Sequence, residues 1–412
     1  MAQINITLNQ EELLALICKG NDELLKVLLE RSLNTVMKAQ SEDQLGASPY
    51  ARCKERNDYR NGFRDRALTT RIGTITLHVP RHRFKAFETE IFERYSRSES
   101  ALIATMSEMV ICGVSTRKIA KVIDSLCGET ISKSAVSNIC KQLEAEVKEF
   151  QERPLTEPYP FLTVDATYFK VRENHKIISK PLFIAYGTNR QGYREIIGFK
   201  AYPREAADTW NDFFLYLKKR GLLGVTMITS DAHGGILNAI VKQYPDVPWQ
   251  RCQFHFSMNI TEKAPKKYQA GLRAELNEMF NCETIEEARR KRDEIIEDYR
   301  DVAENAVNAL EEGFESAMTA MILPKNLRKY FRTSNHIERL NRELKRRSRV
   351  IGIFPNENSM IRLMGSVLME LHDSNLQRRA IYSPDTLQEA MKPERLQQLR
   401  AIAIEQQNLL VA

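Results

Sequence analysis

Long apolar runs, paired cysteines and nucleotide-binding loops are all missing from this chain of 412 residues. No window approaches about 18 uninterrupted apolar residues, so we expect no membrane-spanning helix and no membrane partner. The seven cysteines are irregularly spaced and form no CxxC pair, which argues against a disulfide framework or a four-cysteine zinc site. No GxxxxGK(S/T) loop occurs, and we expect no nucleotide cofactor. The first residues lack the basic and apolar regions of a secretory signal, so a cytoplasmic protein is the expectation.

Covalent catalysis by serine or cysteine has little support. Ser230, Asp231 and His233 lie within four consecutive residues, too close along the chain for a hydrolase triad, and no GxSxG elbow is present. Cys112 and Cys140 lie among apolar helical neighbours without a paired histidine. Any chemistry should therefore come from other groups.

Positive charge is clustered rather than abundant. The chain carries 61 Lys and Arg against 54 Asp and Glu, a formal charge of +7, and its pI is about 8.9. Residues 52–71 hold seven basic side chains against three acidic ones, and residues 339–349 hold six against one. Such clusters suit a polyanion such as DNA, although a solvated charged face would give the same pattern.

Two short segments begin the chain. Residues 1–45 are predicted to hold a helix over 9–40, because leucines recur at helical spacing. This helix is a candidate dimer contact, and packing against its own chain is the alternative interpretation. Residues 46–98 combine Arg-rich turns with an alternating strand over 74–79 that Pro80 should stop, as in a small basic DNA-binding module. Its candidate DNA contacts are Arg60, Arg64 and Arg66.

Residues 99–153 have the pattern of a helix-turn-helix. Ser115 can cap one helix with an apolar face, Gly128 marks the turn, and Ser132 or Ser134 can cap a second helix. A structural helical hairpin is the alternative. The second helix offers outward side chains of types that contact phosphates or base edges, namely Lys133, Ser134, Ser137, Asn138 and Lys141. The proline-rich segment 152–160 is predicted to be a linker.

The rest of the chain begins as an α/β region. Three strand-like runs in quick succession favour an antiparallel meander, and an apolar strand ending at Asp231 precedes a Gly-Gly turn and a helix. The run WQRCQFHF is predicted to be a further strand, with Trp249, Phe254 and Phe256 in the core rather than stacked on bases. A strandless helical stretch follows, then a long helix over about 334–348 and more helix from about 356. The predicted segments are 154–257, 258–331, 332–395 and a tail over 396–412.

Three acids stand at positions where carboxylates hold metal ions. Asp165 lies in an apolar strand, Asp231 ends another, and Glu338 begins a helix. A buried acid is unfavourable without a partner or a cation, and Mg²⁺ or Mn²⁺ prefers carboxylate and phosphate oxygens. Two such ions can bind both the attacking and the leaving oxygen of a phosphoryl displacement. Taken singly, Asp165 could belong to a buried ion pair, Asp231 could cap the next helix, and Glu338 could be a surface acid.

Glu343 competes with Glu338 for the third position. It lies five residues further on, about 140° around the helix, so both cannot face one metal pair. Glu338 is preferred because Ile337, Leu340 and Leu344 mark the packed side of the helix close to it. The neighbouring basic side chains could then meet DNA phosphates, namely Arg339, Arg342, Lys345 and Arg346.

Several blocks of this sequence resemble the Mutator-type transposases of bacterial insertion sequences. These blocks are VDATYFKVR, SDAHGG, RCQFHFSMN and TSNHIERLNRELKRRSRVIGIFPN, with weaker likeness in RNGFRDRALTTRIGTITLHVPRHR and in the helix that carries Trp210. The likeness runs from roughly residue 50 to 375, and its blocks occur in the family order.

The resemblance implies a multidomain α/β plus α protein. Its catalytic domain would be ribonuclease-H-like, with a mixed sheet flanked by helices and an all-helical insertion, preceded by helical and helix-turn-helix DNA-binding domains. The family's two Asp and one Glu fall on Asp165, Asp231 and Glu338, and its Cys/Asp-x-x-His block falls on Cys252 and His255. The implied reaction is hydrolysis of a DNA strand at an element's terminal inverted repeat, followed by attack of the freed 3′-OH on target DNA, through a circular copy-out/paste-in intermediate.

Other interpretations stay open. Cys252 and His255 could bind zinc with His233 or Cys282, but residues three apart on a strand face opposite sides, so a structural or DNA-positioning role is preferred for the pair and for Trp210. A related nuclease or integrase, or a catalytically silent DNA-binding regulator, would share many of these features. A homodimer is expected because two element ends must be brought together.

Overall fold

The computed structural model of the chain describes residues 22–49, 56–70, 73–89, 105–107, 116–127 and 133–411, together with 51, 91 and 109. The chain divides into two compact units, residues 1–142 and residues 143–412. None of the helices in the described ranges combines the length and the apolarity that crossing a lipid bilayer requires.

The first unit contains a helix packed on a β-hairpin. Helix α1 (Asp22–Leu45) lies against strands β1 (Arg60–Thr70) and β2 (Gly73–His82), which pair antiparallel. The core between them is formed by Met37, Leu68, Ile75, Leu77 and Val79. The described part of the N-terminal helix therefore packs against its own unit, as the alternative interpretation expects. The predicted helical residues 9–21 lie outside the described part.

The hairpin corrects two sequence predictions. The Arg-rich segment predicted to be turns is strand β1, whose first six residues are all exposed. Without a buried face, this part of the strand gives no alternating apolar pattern. Pro80 was expected to stop the second strand, but it lies inside β2 opposite Phe63. A register irregularity of β1 between Arg60 and Phe63 accommodates it there, because proline is tolerated where the hydrogen-bond ladder is already interrupted.

Two helices occupy the predicted helix-turn-helix region. They are α2 (Thr116–Cys127) and α3 (Lys133–Glu152), and the turn residues 128–132 lie outside the described part, as does Ser115. Ser134 cannot be the N-cap of α3, because it is the second residue of the helix. The α2 residues Ile119 and Ile123 are buried.

The proline-rich segment predicted to be a linker is packed rather than free. Within the second unit, Leu155 and Tyr159 are buried in the main core. The Leu155 N–H also donates to the carbonyl of Arg220 at 2.6 Å. The three prolines of segment 152–160 restrict its backbone, but they do not prevent its apolar side chains from being buried.

A mixed five-stranded sheet forms the centre of the second unit. Its strands are β3 (Phe161–Glu173), β4 (Lys176–Thr188), β5 (Arg194–Ala201), β6 (Met227–Ser230) and β7 (Trp249–Arg251). The spatial order is β5-β4-β3-β6-β7. Strands β3, β4 and β5 form the expected antiparallel meander, whereas β6 is parallel to β3 and β7 is parallel to β6.

Helices cover both faces of this sheet. On one face, Trp210, Phe213, Phe214 and Leu217 of α4 are buried against the strands, as their spacing predicts. On the other face, Phe161 and Met227 pack against residues 320–331 and 382–390. The helices around the sheet are α4 (Ala207–Lys219), α5 (Gly234–Gln243), α11 (Asn335–Ser348), α12 (Glu357–Leu376), α13 (Pro384–Ala390) and α14 (Pro393–Val411).

A helical layer separates β7 from α11, as the strandless stretch predicts. It consists of α6 (Gln253–Lys263), α7 (Gln269–Phe280), α8 (Ile285–Tyr299), α9 (Glu304–Met318) and α10 (Lys325–Phe331), with its own apolar core. The predicted strand WQRCQFHF is wrong beyond Arg251, since helix α6 begins at Gln253. Buried Gln250 and Gln253 stabilise this change, because both side chains donate to the carbonyl of Ala317. A local apolar pattern cannot report such distant partners.

Candidate active site

Two aspartates lie next to each other at one edge of the sheet. Strands β3 and β6 are parallel neighbours, with Thr163 paired to Thr229. Asp165 and Asp231 each follow their paired threonine by two residues, so the two side chains are at matching positions and on the same sheet face. The charge of Asp231 also raises the pKa of Asp165. The sequence-predicted pair therefore comes together where the parallel pairing of β3 with β6 ends.

Helix α11 brings the third acid to this edge. The Asn341 amide donates to Asp165 Oδ2 at 2.6 Å, which fixes this face of α11 against β3. Glu338 lies three residues earlier, on the same side of the helix. Its Oε1 accepts from the Ser334 hydroxyl at 3.3 Å and lies 3.8 Å from His255 Nε2. Nearby, the Thr229 hydroxyl donates to the carbonyl of Phe331 at 2.9 Å, which ties β6 to the segment before α11.

Cys252 and His255 meet on the first turn of α6. The helix begins directly after Cys252, so two residues three apart share one face instead of the opposite faces expected for a strand. Cys252 Sγ is fully buried; it accepts from the Ser334 N–H at 3.3 Å and shares the single Ser334 hydroxyl proton, at 3.1 Å, with Glu338 Oε1. Ser334 thus connects the sulfur to Glu338, and His255 reaches the same carboxylate.

The site is an acidic cluster with one basic neighbour, His255. Burial and the Asp231 charge raise the pKa of Asp165 to about 7. Burial and the charge of Glu205 raise the pKa of Asp231, whose buried Oδ1 has no hydrogen-bond partner among the described residues. The nearby Cys252 sulfur, followed by Glu338 and Asp231, raises the pKa of His255 to about 9. These acids would be stabilised by a bound cation.

Glu205 is a fourth acid that sequence reasoning missed. It precedes α4, and its carboxylate accepts from the Tyr168 hydroxyl at 2.5 Å and from Trp210 Nε1 at 3.2 Å. His233 Nδ1 lies 3.7 Å from it. A Cβ on Gly235 would lie 2.9 Å from the backbone of Ala206, so the second glycine of SDAHGG allows this loop to approach. The loop sequence YPREAAD does not indicate a functional acid, because Glu205 is positioned by residues such as Tyr168 that are distant along the chain.

The alternatives left open for the three acids can now be compared with the geometry. The N-cap of α5 is His233, whose ring accepts the Gly235 N–H, so Asp231 does not cap that helix. Asp165 forms no ion pair with the residues that the structure describes, and Asn341 and the Ala166 N–H are its hydrogen-bond donors. Glu343 points to Arg346 and Arg347, which lower its pKa to about 2.

The basic residues near α11 differ in their environments. Arg339, Arg342 and Lys345 are exposed, and within the described part of the chain no ion pair engages their side chains. Arg346 is also exposed, but it forms a bidentate pair with Glu343 at 2.7 and 2.6 Å. Three basic side chains beside the acids therefore face solvent and have no acidic partner among the described residues.

The other candidate contacts lie in the first unit and in α3. Arg60 donates to the carbonyls of Ala47 at 2.7 Å and Ser48 at 3.2 Å, so it supports the loop before the hairpin. Arg64 is exposed, and Arg66 is half-buried in β1. The remaining candidates are helical in backbone, with side chains outside the described part, namely Lys133, Ser134, Ser137, Asn138 and Lys141.

A different metal site was also considered in the sequence. Ligand atoms of Cys252, His255 and Glu338 lie within 4.8 Å of one another, the one such group found among the described residues. Neither His233 nor Cys282 joins it, and Cys252 Sγ already accepts two hydrogen bonds from Ser334. Structural zinc normally has four ligands, so this trio fits a hydrogen-bonded support for Glu338 better than a zinc centre. Trp210 is fully buried and stacks on Phe183 at 3.9 Å, which makes it a core residue.

Comparison with known proteins identifies the chain. A model of the Mutator family of transposases matches residues 1–378. The transposase for insertion sequence element IS256 in transposon Tn4001 from Staphylococcus aureus is 43% identical over 377 residues, covering 90% of this chain and 96% of the relative. The transposase for ISRM5 from Rhizobium meliloti is 36% identical, covering 91% of this chain and 94% of the relative. The transposase for IS1081 from Mycobacterium tuberculosis is 34% identical, covering 93% of each.

The chain is therefore an enzyme of the transposase kind. It belongs to the Mutator family of transposases, which confirms the resemblance drawn from the motif blocks. A divalent metal cofactor is implied in general for such an enzyme, and the acidic edge of the sheet offers ligands of the right chemistry.

Proposed function

We propose that residues 154–395 form a ribonuclease-H-like catalytic domain split by a helical insertion. The support is the strand order β5-β4-β3-β6-β7, in which the second strand of the domain is antiparallel to the first and the last two are parallel to it. The helices α6–α10 interrupt the domain between β7 and α11. In such a domain the two strand acids and the helix acid would act together where β6 ends.

Asp165, Asp231 and Glu338 are the proposed ligands of the divalent metal, Mg²⁺ or Mn²⁺. The observation that carries this assignment is the matching position of the two aspartates on parallel strands, with Asn341 holding the helix of Glu338 against one of them. The unpartnered, buried Asp231 Oδ1 fits a cation ligand. When bound, the metal activates the attacking water or 3′-OH and neutralises charge on the phosphate.

The remaining side chains prepare these ligands. Asn341 leaves one lone pair of Asp165 Oδ2 available while fixing the orientation of the carboxylate. The Ser334 hydroxyl and the His255 ring both contact Oε1 of Glu338, and buried Cys252 fixes Ser334. Because His255 has a raised pKa, its positive charge offsets part of the local negative charge at neutral pH. The role of the Cys-x-x-His block is therefore positioning.

The proposed substrate is DNA: the element's terminal inverted repeats and a target site. Arg339, Arg342 and Lys345 would contact phosphates next to the acids, with Arg64 and the candidate residues of α3 contributing from the DNA-binding segments. Hydrolysis at the element end frees a 3′-OH, which then joins the strand to DNA, through a circular copy-out/paste-in intermediate. Two copies of the chain would bring two ends together.

Labelled element ends mixed with target DNA test this function. Wild-type protein should nick the end in Mg²⁺ and form joined products, whereas Asp165→Asn should bind the end without cutting it. A nuclease would nick without joining, and a silent DNA-binding regulator would bind without nicking. Normal cleavage by Asp165→Asn would refute the assignment of the acids.

A further inference from the structure

A groove lies between the start of α6, helix α7 and the residues that lead into α11. Its cavity volume is about 750 Å³, and its walls include Phe254, Met258, Arg273, Asn277, Arg332 and Asn335. All of these residues belong to the second unit. The groove therefore opens next to the turn of α6 that carries His255.

The apolar side of this groove is formed by exposed side chains of α6. Phe254 was predicted to be in the core, as Trp249 and Phe256 are, but 43% of it is exposed. Met258, one helical turn further, is 38% exposed. The core of the helical layer is filled from the opposite side of α6, by Phe256 and Ile260. Phe254 thus offers a free aromatic face that folding of the layer does not use.

The polar side of the groove is cationic. Arg332 is held by the carbonyl of Phe280 at 2.7 Å and by Asn281 Oδ1 at 3.0 Å. Arg273 is exposed and, in the described part of the chain, has no hydrogen bond or ion pair. None of the described residues that line the groove is Asp or Glu. A second groove contains Arg292 and Arg300, but four acids also line it. It therefore does not offer a polyanion the positive charge of the first groove.

The groove adjoins the proposed catalytic acids. Phe254 directly precedes His255, and the two rings are 5.5 Å apart in an edge-to-face contact. His255 Nε2 lies 3.8 Å from the Glu338 carboxylate. On the other wall, Thr333 and Asn335 flank Ser334, which donates to the same carboxylate. A nucleotide in the groove would be a close neighbour of a phosphate bound at the acids.

We propose that this groove binds one unpaired nucleotide of the DNA strand being cut, with its base stacked on Phe254 and a phosphate contacting Arg273. An aromatic face accepts any base, and arginine beside it meets the backbone charge, which is the chemistry of single-strand binding sites. This inference rests on the proposed function. It adds that the strand leaves the duplex next to the cleaved bond.

Site-specific 2-aminopurine tests the inference. Element-end duplexes carry this fluorescent base at one position at a time near the cleavage point, and they are bound to Asp165→Asn so that no strand is cut. One position should brighten as its base leaves the duplex. When Phe254→Ala is added to the Asp165→Asn protein, most of this fluorescence increase should be lost. Phe254→Trp should keep the base unpaired and retain the increase. Leu223→Ala, which removes a 52%-exposed side chain from the loop before β6, should leave the rise unchanged.

Cleavage gives the second readout. In the otherwise wild-type chain, Phe254→Ala should slow strand cleavage on the order of tenfold, and a mismatch at the brightened position should restore much of the rate. If the chain cuts its ends and no position brightens, the inference fails and the proposed function stands. If Phe254→Ala instead changes the sedimentation of the DNA-free protein without affecting fluorescence, the groove is a protein contact and the inference is overturned. Normal cutting by Asp165→Asn would remove the proposed function itself.

Discussion

Replacing Asp165 by asparagine should stabilise the metal-free protein above neutral pH. The pKa of Asp165 is raised from 3.8 to about 7 by burial and by Asp231. Between these two values the folded chain binds more protons than the unfolded chain, so stability from this group is present below pH 4 and is lost as the pH rises through 7. Asparagine has no proton to lose, and this pH dependence should disappear.

The expected size follows from the same values. Each tenfold change in proton affinity is worth about 1.4 kcal/mol, so a rise of the pKa from 3.8 to about 7 corresponds to roughly 4 kcal/mol above pH 7. The asparagine oxygen can still accept from Asn341, which donates to Asp165 Oδ2 at 2.6 Å, but the bond from the Ala166 N–H is lost because the amide nitrogen in that position cannot accept. That loss is about 1 kcal/mol. The variant should therefore be more stable than wild type by about 2–3 kcal/mol at pH 8 in EDTA.

Denaturant unfolding between pH 5 and 8.5, in EDTA and in Mn²⁺, measures this difference. Mn²⁺ should stabilise wild type most at high pH, because a proton on Asp165 competes with metal binding at lower pH, and it should stabilise the variant much less. Asp212→Asn is the control, and it should lower the free energy of unfolding instead of raising it. Lys200 and Tyr202 lower the pKa of Asp212, so its charged form stabilises the fold. The reasoning is refuted if Asp165→Asn is less stable than wild type at pH 8 in EDTA, or if Mn²⁺ stabilises both proteins equally.

Three further comparisons test the residues around the acids. Glu338→Gln should abolish strand cleavage, whereas Glu343→Gln should retain it and lose roughly 1–3 kcal/mol of stability, because Glu343 pairs with two arginines; equal cleavage by the two would contradict the choice of Glu338. Cys252→Ala should slow cleavage by roughly 10–100-fold while DNA binding stays intact. Cys252→Asp, which can accept the same Ser334 bonds, should cleave faster than the alanine variant. A loss of bound zinc in proportion to the loss of activity would contradict this positioning role. Glu205→Gln should weaken Mn²⁺ binding roughly tenfold, measured by titration, while Glu195→Gln, another carboxylate bonded by a tyrosine hydroxyl, should not.

Much of the sheet and of the candidate site could be predicted, because the sequence signals for them are local. The buried strands β3 and β4 and the one-sided helix α4 each place apolar residues at a regular spacing. The position of Asp231 at a strand end follows from the apolar run before it. Helix α11 was expected over about 334–348 and extends from Asn335 to Ser348, because its apolar positions Ile337, Leu340 and Leu344 recur every three or four residues.

The rest depended on contacts between distant segments. The switch from β7 to α6 rests on buried Gln250 and Gln253 bonding to Ala317, and no property of WQRCQFHF contains that partner. The approach of Glu205 to Asp231 likewise depends on Tyr168 and on a glycine after the second strand acid. Strand β1 is exposed on both sides at its start, so it has no alternation to recognise. Such features follow from the assembled fold alone.

Anomalous diffraction from a Mn²⁺-loaded complex with an element-end duplex tests the central claim most directly. The account predicts a metal peak within coordination distance, about 2.0–2.3 Å, of carboxylate oxygens from Asp165 and Asp231, with Glu338 bound to the same ion or to a second ion nearby, and with a DNA phosphate oxygen completing the shell. A peak held by Cys252 and His255 instead, or a complex that leaves Glu338 far from every metal, would contradict it.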